Sequence, residues 1–311
     1  MEGVIIMEER YAIGIDLGGT KVEAILLDSR RTIIARERIP AEASKGMDRV
    51  LDNIEAVIAK SAGTHKYEAV GIGTPGVYVR SEDRIYGASN SPAYEIPGFI
   101  SSLQKRLEVP VIVENDGNCL ALAEYFASCV GTYSHVLAVI LGTGVGSGLI
   151  LDNRLYTGPT GGGAEFGHTC IRFDGRECGC GKLGCAEAYL SGSSLTRRYE
   201  EMTGSRLQVQ DLYQRYLDRE AAANELFEDS CRMMGDFFAN AVNLLDVQAV
   251  ILGGGVSNLP IWYEKVPAYL KRSIFGIPRG PIPILKAALG DSAGVFGAAY
   301  LALRQMGLME F

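Results

Sequence analysis

The sequence has no apolar run long enough to cross a membrane, no secretory leader pattern and no excess of positive charge. A spanning helix needs about 18 consecutive apolar residues, and no segment of the 311 residues approaches that length. The N-terminus lacks the basic, apolar and small-residue order of a signal peptide. We therefore expect a cytoplasmic protein with no membrane partner. Thirty lysines and arginines against 37 aspartates and glutamates give a net charge of −7, which argues against nucleic acid as a partner.

Two common nucleotide-binding motifs are also missing. No Gly-x-x-x-x-Gly-Lys-Ser/Thr segment occurs, which excludes a P-loop nucleotidase. The glycines at 142, 144, 146 and 148 leave Ser147 where a dinucleotide-binding fingerprint has its third glycine. This loop is also predicted to join two strands rather than a strand and a helix, so a Rossmann dehydrogenase is disfavoured.

The residues that are present indicate a folded α/β protein. Apolar residues make up 47% and charged residues 22%, as in ordinary globular chains, and the length suits about two domains of roughly 150 residues. Each half of the chain opens with an antiparallel strand pair that turns on a Gly/Thr loop. The hydrophobic patterns predict strands at 11–16, 22–27, 32–39, 69–72, 109–113, 136–141, 148–151 and 249–252, and helices at 47–58, 100–107, 116–126, 221–245, 260–270 and 293–305.

Three glycine-rich loops follow predicted strands, at 16–21, 142–148 and 253–255. Glycines let backbone N–H groups approach anionic oxygens, and the hydroxyls of Thr20 and Thr143 add donors. A tight turn explains any one such loop, but the three together favour phosphate binding. Beside the first loop, Asp16 ends a strand, where it is suited either to hold Mg²⁺ near nucleotide phosphates or to form a turn.

A polar segment, Asn115-Asp116-Gly117-Asn118, ends another predicted strand. Packing does not require four consecutive polar or flexible residues at this position. The segment is suited either to contribute to a site or to supply an N-cap, at Asp116, for the following helix.

Three of the seven cysteines fall within eight residues and form a cluster with one histidine. Thiolates and imidazole are the ligands that tetrahedral zinc prefers, and the glycines at 175, 179, 181 and 184 let the chain wrap around an ion. A disulfide of Cys178 and three unligated thiols are the alternatives. Four protein ligands leave no open position for water, so the predicted zinc site is structural. Its ligands are His168, Cys178, Cys180 and Cys185.

The other cysteines, and two carboxylates beside the cluster, have separate predicted roles. Glu165 and Glu187 lie close in sequence to zinc ligands, and carboxylates accept hydrogen bonds from the vicinal hydroxyls of a sugar. Ordinary surface charge is the alternative for both. The four remaining cysteines are expected to be buried small hydrophobic residues: Cys119, Cys129, Cys170 and Cys231.

Six segments resemble, in order, the signatures of the ROK family of repressors, open reading frames and sugar kinases. They are 16–21, 73–76, 115–118, 142–146, 165–168 and 178–187. The resemblance spans nearly the whole chain. It implies an actin-like, ribonuclease-H-like fold of two α/β domains with the active site in the cleft between them. The smaller domain would comprise 1–128 and 293–311, and the larger one 129–292 with the zinc loop.

The resemblance further implies an ATP-dependent kinase that phosphorylates a hydroxyl, O6, of a hexose or N-acetylhexosamine. Asp116 would be the general base, Mg²⁺ and a structural Zn²⁺ would be bound, and the protein would form a homodimer or a higher homo-oligomer. The implied sugar-binding residues are Gly76, Asn90, Asn115, Asp116, Glu165, His168 and Glu187. The implied nucleotide-binding residues are Asp16, Gly18, Gly19, Thr20, Lys21, Gly142, Thr143, Gly144, Gly254 and Gly255.

Several alternatives stay open at this point. The sugar could be glucose, N-acetylglucosamine or N-acetylmannosamine, and a glucokinase acting mainly on glucose is one specific possibility. A regulator of this family would carry a DNA-binding domain ahead of the first loop, and Asp16 leaves no room for one in this sequence. A noncatalytic sugar-sensing module would not need Asp16, Thr20 and Asp116 together, so we expect an enzyme.

Overall fold

Two units, each with its own sheet and core, make up the described structure. The structure is a computed structural model, and it describes residues 9–88, 91–278 and 280–311. The first unit contains the described residues up to Cys119, with Pro159–Gly161 and Ser292–Phe311. The second contains Leu120–Gly158 and Gly162–Asp291. Within the described ranges, no helix combines the length and apolar character needed to cross a membrane.

The first unit is built on a five-stranded sheet and a separate hairpin. Its strands are β1 (Tyr11–Leu17), β2 (Lys21–Asp28), β3 (Ile33–Pro40), β4 (Tyr67–Thr74), β5 (Val77–Val79), β6 (Arg84–Tyr86) and β7 (Val111–Asn115). The sheet order is β3-β2-β1-β4-β7, and β5 pairs with β6 alone. The first three strands form an antiparallel meander, whereas β4 and β7 run parallel to β1. The carboxyl ends of β1, β4 and β7 therefore share one edge of the sheet.

The second unit repeats this connectivity. Its strands are β8 (Val136–Leu141), β9 (Val145–Leu151), β10 (Arg154–Tyr156), β11 (Ala249–Gly253) and β12 (Ile284–Lys286). The sheet order is β10-β9-β8-β11-β12, again a meander followed by parallel strands. The turn between β9 and β10 is formed by Asp152 and Asn153, both with positive φ, as in a two-residue hairpin loop of the type common between antiparallel strands.

The helices cover the two sheets. They are α1 (Met47–Ala62), α2 (Phe99–Leu107), α3 (Asp116–Ser128), α4 (Glu187–Leu190), α5 (Gly192–Thr203), α6 (Val209–Leu217), α7 (Ala221–Leu245), α8 (Ile261–Ser273) and α9 (Ala293–Gln305). In the first unit, α9 packs closely against β1 and β4. A Cβ on Gly71 would lie 1.8 Å from the Ala298 carbonyl oxygen, so only glycine permits this approach. The last helix thereby supports the strands that end at the first unit's candidate site residues.

Most predicted elements are confirmed, and two strands have shifted bounds. Strand β9 begins at Val145, earlier than the predicted 148, because the turn closes within three residues through the hydrogen bond from Gly142 N to Gly144 O (3.0 Å). Strand β7 lies at 111–115 instead of 109–113. The pattern missed the β5–β6 hairpin, β12 and the helices α4 to α6. The hairpin strands, β12 and α4 have only three or four residues each, too few to show a period. The division between the units falls at Cys119, whereas the sequence places a domain boundary at 128, further along α3.

Candidate active site

In the first unit, acidic and amide side chains collect at the carboxyl edge of the parallel strands. The register pairs Asp16 with Gly73 and Gly73 with Glu114, so the ends of β1, β4 and β7 are level. Asn115 ends β7, and Asp116 begins α3 directly after it. In open α/β sheets, ligands bind outside the carboxyl ends of such strands. The predicted base and the predicted magnesium ligand thus lie at one sheet edge.

The Asn115–Asp116 segment is held by a set of local hydrogen bonds. The Asn115 amide nitrogen Nδ2 donates to the Gly76 carbonyl oxygen (3.1 Å). The Gly117 backbone N–H donates to Asn115 Oδ1 (2.8 Å) and to Asp116 Oδ1 (2.7 Å). Burial raises the pKa of the Glu114 carboxyl, which accepts from Asn118 Nδ2 (2.9 Å). These bonds fix the direction of the Asp116 carboxylate, and Gly76 contributes by positioning Asn115.

Asp16 lies in a poorly solvated position beside the first glycine loop. Burial raises the pKa of its carboxyl to about 6, with Glu23 adding to the rise while Lys21 and Arg38 oppose it. Removing a carboxylate from water disfavours its charged form. A divalent cation would compensate this cost, because carboxylate oxygens are the ligands that Mg²⁺ takes.

The first glycine loop is a tight turn between β1 and β2. The Gly18 N–H donates to the Lys21 carbonyl oxygen (3.0 Å), and the Tyr94 hydroxyl donates to the Gly18 carbonyl oxygen (2.8 Å). Gly19 and Thr20 are exposed at its tip, available to a ligand. The sequence did not identify Tyr94 as a support for this loop. Asn90, the other predicted sugar ligand of this region, lies outside the described residues.

In the second unit, two of the glycine loops border one cavity. The cavity has a volume of about 420 Å³, within the range of ligand pockets. Gly142 and Thr143 follow β8, Gly254 and Gly255 follow β11, and these strands are parallel neighbours. Gly142, Thr143 and Gly255 line the cavity directly. The structure therefore brings the second and third predicted phosphate loops together.

Other residues of this cavity were not found from the sequence. Helix α5 begins at Gly192, whose N–H donates to the Gly142 carbonyl oxygen (2.8 Å), and Ser191 caps it by accepting from Ser194 N (3.1 Å). A helix N-terminus favours negative charge. The remaining polar residues of the lining come from α5 and the segment that follows it: Ser193, Thr196, Arg206, Gln208 and Gln210. Their only sequence signal is the Ser-Gly-Ser-Ser run at an N-cap.

The predicted zinc ligands converge in the loop before α4. The ligand atoms of His168, Cys178, Cys180 and Cys185 all lie within 4.8 Å of one another. Cys178 Sγ is 3.6 Å from His168 Nδ1, and Cys180 Sγ is 3.6 Å from Cys185 Sγ. Zinc with Zn–S bonds of about 2.3 Å needs sulfurs about 3.8 Å apart in a tetrahedron. Donor chemistry and spacing thus both fit a Cys₃His zinc site.

Glu187 connects this loop to the phosphate loop. Its Oε2 accepts from the Val145 N–H (2.9 Å), and its Oε1 lies 3.5 Å from Cys178 Sγ. A Cβ on Gly144 would lie 2.6 Å from Oε2, so the missing side chain at Gly144 makes room for the carboxylate. One predicted sugar ligand is therefore positioned by the turn that is predicted to hold phosphate.

Ser147 positions Glu165. In the sequence, Ser147 was notable only because it occupies the place of the third glycine in a dinucleotide-binding fingerprint. Ser147 Oγ donates to the Ala164 carbonyl oxygen (2.5 Å) and accepts from the Phe166 N–H (3.0 Å). These two bonds flank Glu165 on either side. Partial removal from water raises the pKa of the Glu165 carboxyl, with Glu187 adding to the rise and His168 opposing it. Glu165, His168 and Glu187 thus lie within electrostatic reach of one another.

One cysteine prediction is wrong. Cys119, Cys129 and Cys231 are buried, but Cys170 is exposed. It lies in the loop that carries the predicted zinc ligands, between His168 and Cys178. Its only β pairing there is an isolated bridge to Cys185, outside any sheet. The apolar character of a thiol does not decide burial in a loop that lacks a core of its own.

Comparison with known proteins places the chain in a family. The ROK family model matches residues 12–305. The chain is 33% identical over 305 residues to the N-acetyl-D-glucosamine kinase of Aliivibrio fischeri, covering 94% of this chain and 99% of that one. It is 33% identical over 300 residues to the enzyme of the same name from Pectobacterium atrosepticum, covering 93% and 98%.

Solved structures agree. A ROK family glucokinase from Streptomyces griseus, in complex with glucose and AMPPNP, has a TM-score of 0.77 at 32% identity and covers 95% of this chain and 99% of that one. The ROK hexokinase from Thermus thermophilus has a TM-score of 0.86 at 29% identity, with coverage of 96% and 99%. The chain belongs to the ROK family; it has the actin-like two-domain kinase fold and is a sugar kinase. These relatives do not favour a noncatalytic module or a regulator.

Proposed function

We propose that this enzyme transfers the γ-phosphoryl group of ATP to O6 of an N-acetylhexosamine, with Asp116 as the general base. N-acetyl-D-glucosamine is the proposed preferred substrate. The observation that carries the proposal is the position of Asp116. It lies at the carboxyl edge of parallel strands, and the Gly117 N–H fixes its carboxylate through a 2.7 Å bond to Oδ1. The kinase relatives, 33% identical over almost their full length, support the same reaction.

Phosphoryl transfer depends on alignment of the acceptor hydroxyl with the γ-phosphoryl group and on charge neutralisation more than on covalent catalysis. Asp116 accepts the proton of the sugar hydroxyl as the new O–P bond forms. The Asn115 amide, anchored to the Gly76 carbonyl, keeps this segment in place and offers a polar contact to the sugar. Asp16 would hold Mg²⁺, which neutralises charge on phosphate oxygens.

On the ground of the family resemblance, we propose nucleotide-binding residues in the glycine turns of each unit. Gly18, Gly19, Thr20 and Lys21 form the turn in the first unit. In the second, Thr143 and the backbone amides from Gly142 to Gly144 border the 420 Å³ cavity with Gly255, and Gly254 precedes it. The capped N-terminus of α5 adds a favourable field for anionic groups. The AMPPNP complex of the Streptomyces griseus relative supports ATP as the donor.

We assign the sugar-binding carboxylates to the zinc loop. His168, Cys178, Cys180 and Cys185 would hold a structural Zn²⁺, which in a closed site contributes to local folding and leaves the chemistry to other groups. Glu187 follows Cys185 by two residues, and Glu165 precedes His168 by three. Their carboxylates would accept hydrogen bonds from the sugar hydroxyls, and His168, whose Nδ1 faces the zinc ligands, would donate one from Nε2. Asn90 completes the predicted sugar set on sequence grounds alone.

We also propose a cytoplasmic homodimer or higher homo-oligomer. All seven cysteines are free in the structure, which suits a reducing compartment. The oligomer rests on the family resemblance, and light scattering of the purified protein tests it: a mass near one chain of 33.5 kDa rejects it.

A kinetic comparison of N-acetyl-D-glucosamine, N-acetyl-D-mannosamine and glucose tests the substrate. We expect N-acetyl-D-glucosamine to have the highest kcat/KM by about tenfold or more, because a changed pocket contact at C2 worth about 1–3 kcal/mol discriminates by at least that factor. Preference for glucose would favour the second candidate, which the 32%-identical glucokinase supports. Phosphorus NMR of the product locates the phosphate. No ATP consumption with any of the three sugars would reject the substrate class.

A further inference from the structure

An exposed cysteine lies directly across a two-strand bridge from a predicted zinc ligand. The Ala186 N–H donates to the Thr169 carbonyl oxygen (3.0 Å), and the Ile171 N–H donates to the Gly184 carbonyl oxygen (2.8 Å). Cys170 and Cys185 face each other between these two bonds as antiparallel partners. Cys170 is exposed, whereas Cys185 is 1% exposed, and both are free thiols.

The hydrogen-bond pattern defines the geometry of this pair. Because the bonds join the flanking residues, Cys170 and Cys185 form a non-hydrogen-bonded pair, whose Cα atoms lie about 4.5 Å apart with the side chains on one face. This separation falls within the range that a disulfide spans, about 4.4–6.8 Å. A Cβ on Gly184 would lie 3.0 Å from Cys170 Sγ, so the Cys170 sulfur already lies against the strand that carries Cys185.

Cys170 differs from the other exposed thiol in the described chain. Cys180 belongs to the group of ligand atoms that lie within 4.8 Å of one another, and Cys170 does not. A bound zinc ion would occupy the sulfur of Cys180 and leave that of Cys170 open to solvent. Cys170 is therefore the thiol that a soluble oxidant reaches first.

We propose that Cys170 is an oxidation site through which a hydroperoxide disconnects Cys185 from the zinc ligand set. The Cys170 sulfur attacks the hydroperoxide, the O–O bond breaks, an alcohol or water leaves, and a sulfenic acid remains. The Cys185 sulfur then attacks this sulfenic acid, and the S–S bond forms as the S–O bond breaks. The oxygen leaves as water with a proton from the Cys185 thiol or from solvent. One hydroperoxide is reduced and two sulfurs are oxidised.

The consequence follows from the position of Cys185. A disulfide removes one of four zinc ligands, and Glu187 lies two residues further along the chain. Loss of the ion should loosen the loop and weaken sugar binding, until a dithiol reductant and zinc restore it. The effect on zinc and sugar rests on the proposed zinc site, whereas the pairing of the two cysteines does not.

The test treats the purified full-length protein with hydrogen peroxide and follows two readouts besides activity. Peptide mass spectrometry maps disulfides, and a metallochromic dye records zinc release. We expect a Cys170–Cys185 disulfide to form together with zinc release, and dithiothreitol to reverse it. C170S and C170A should retain zinc and basal activity and should release zinc about tenfold more slowly under peroxide, because the attacking thiol is missing.

The outcomes separate this proposal from the zinc site. Equal rates of zinc release in wild type and C170S, or disulfides only among Cys178, Cys180 and Cys185, would overturn it. If the untreated protein contains no zinc, the zinc site fails, and disulfide mapping of the same sample still decides the cysteine pair. A Cys170–Cys185 cross-link then supports the oxidation site, and its absence rejects it.

Discussion

The two units have sheets of identical strand order and yet carry different chemistry at the corresponding edge. In the first unit, the parallel strands end at carboxylate and amide side chains, those of Asp16, Asp116 and Asn115. In the second, β8 and β11 end in glycine loops, which offer backbone groups and border a cavity. The shared topology fixes where ligands approach, and the residues after each strand decide what happens there.

Among the described residues, only the second unit has a cluster of candidate metal ligands, and these are predicted to fold the loop that carries them. In the first unit, β1 and β4 are supported by α9. In the second, the two hydrogen bonds of Ser147 flank Glu165, the Val145 N–H holds Glu187, and the loop between these carboxylates carries the cysteine cluster. Changes in the first unit should therefore affect the reaction step, and changes in this loop should affect sugar binding.

The largest expected effect is that of Asp116→Asn in the first unit. We expect kcat to fall by about 10²–10⁴, the usual contribution of a positioned general base, with folding and sugar affinity retained. Steady-state kinetics together with calorimetric sugar titration measure both quantities. A variant that keeps more than about a third of kcat would show that Asp116 is not the base.

Cys180→Ser tests the zinc loop in the second unit. We expect loss of bound zinc and a kcat/KM for sugar lower by about 100-fold, since a misplacement of about 1 Å in positioning groups costs about that much in rate. Elemental analysis gives the zinc content, and sugar titration gives the affinity. Cys170→Ser is the matched control, because Cys170 lies outside the ligand set and should leave the zinc in place. Wild-type sugar affinity in a zinc-free Cys180→Ser protein would show that the loop binds sugar without the metal.

Asp16→Asn should stabilise the magnesium-free protein in a pH-dependent way. The pKa of Asp16 is raised from 3.8 to about 6, so between these values the folded state keeps a proton that the unfolded chain has released. Stability conferred by that proton declines as the pH rises through this window. At pH 7 the ionised carboxylate costs up to about 3 kcal/mol, which asparagine avoids, and the difference should vanish near pH 4.

Urea denaturation with a chelator at pH 4 to 7 measures this difference. Asp152→Asn is the control, because 88% of the Asp152 side chain is exposed. If Asp16→Asn were no more stable than wild type at pH 7, burial would not be the dominant influence on this carboxyl. Activity should also fall in the same variant, since a neutral amide binds Mg²⁺ poorly.

Gly144→Ala, a substitution in the turn that is predicted to hold phosphate, should weaken sugar binding. A methyl group at Gly144 would displace Glu187 Oε2, and we expect the KM for sugar to rise about tenfold, equivalent to losing one charge-assisted hydrogen bond. Gly142→Ala is the matched control in the same turn, because the nearest atom to its new methyl group, on Ile140, is 4.0 Å away. Equal sugar KM values for the two variants would contradict the coupling.

The smallest expected effect is that of Thr143→Val. The exposed hydroxyl should donate to phosphate, and its removal at nearly constant volume should raise the KM for ATP about two- to tenfold, as for one hydrogen bond, with sugar affinity preserved. Thr143→Ser keeps the hydroxyl and should stay near wild type. If the valine variant left both KM for ATP and kcat as they were, the turn would have only a structural role.

Local sequence signals were sufficient for the elements with a clear period. The long helices at 221–245 and 293–305 begin and end as predicted, because their apolar residues recur at helical spacing over several turns. The candidate zinc ligands were also visible in the sequence, since three thiols and an imidazole separated by glycines match the donors that zinc takes. Asp116 and the glycine loops could be placed at strand ends, but their roles came from the family resemblance.

Long-range positions could not be read in the same way. Tyr94 supports the Gly18 turn from 76 residues away, and Arg206 and Gln208 reach the cavity through the packing of α5 and α6. Ser147 has no distinguishing pattern of its own. Its hydroxyl acquires a function only because the segment at 164–166 returns to β9.

The sequence by itself determined the two α/β halves, the strand ends that carry functional residues and the composition of the cysteine cluster, because each depends on neighbours along the chain. Tertiary structure decided which loops share a cavity, that Glu187 occupies the space left by Gly144, and that Cys170 faces Cys185 at the surface. These features depend on strand register and on close packing between segments distant in sequence. A local pattern carries no information about either.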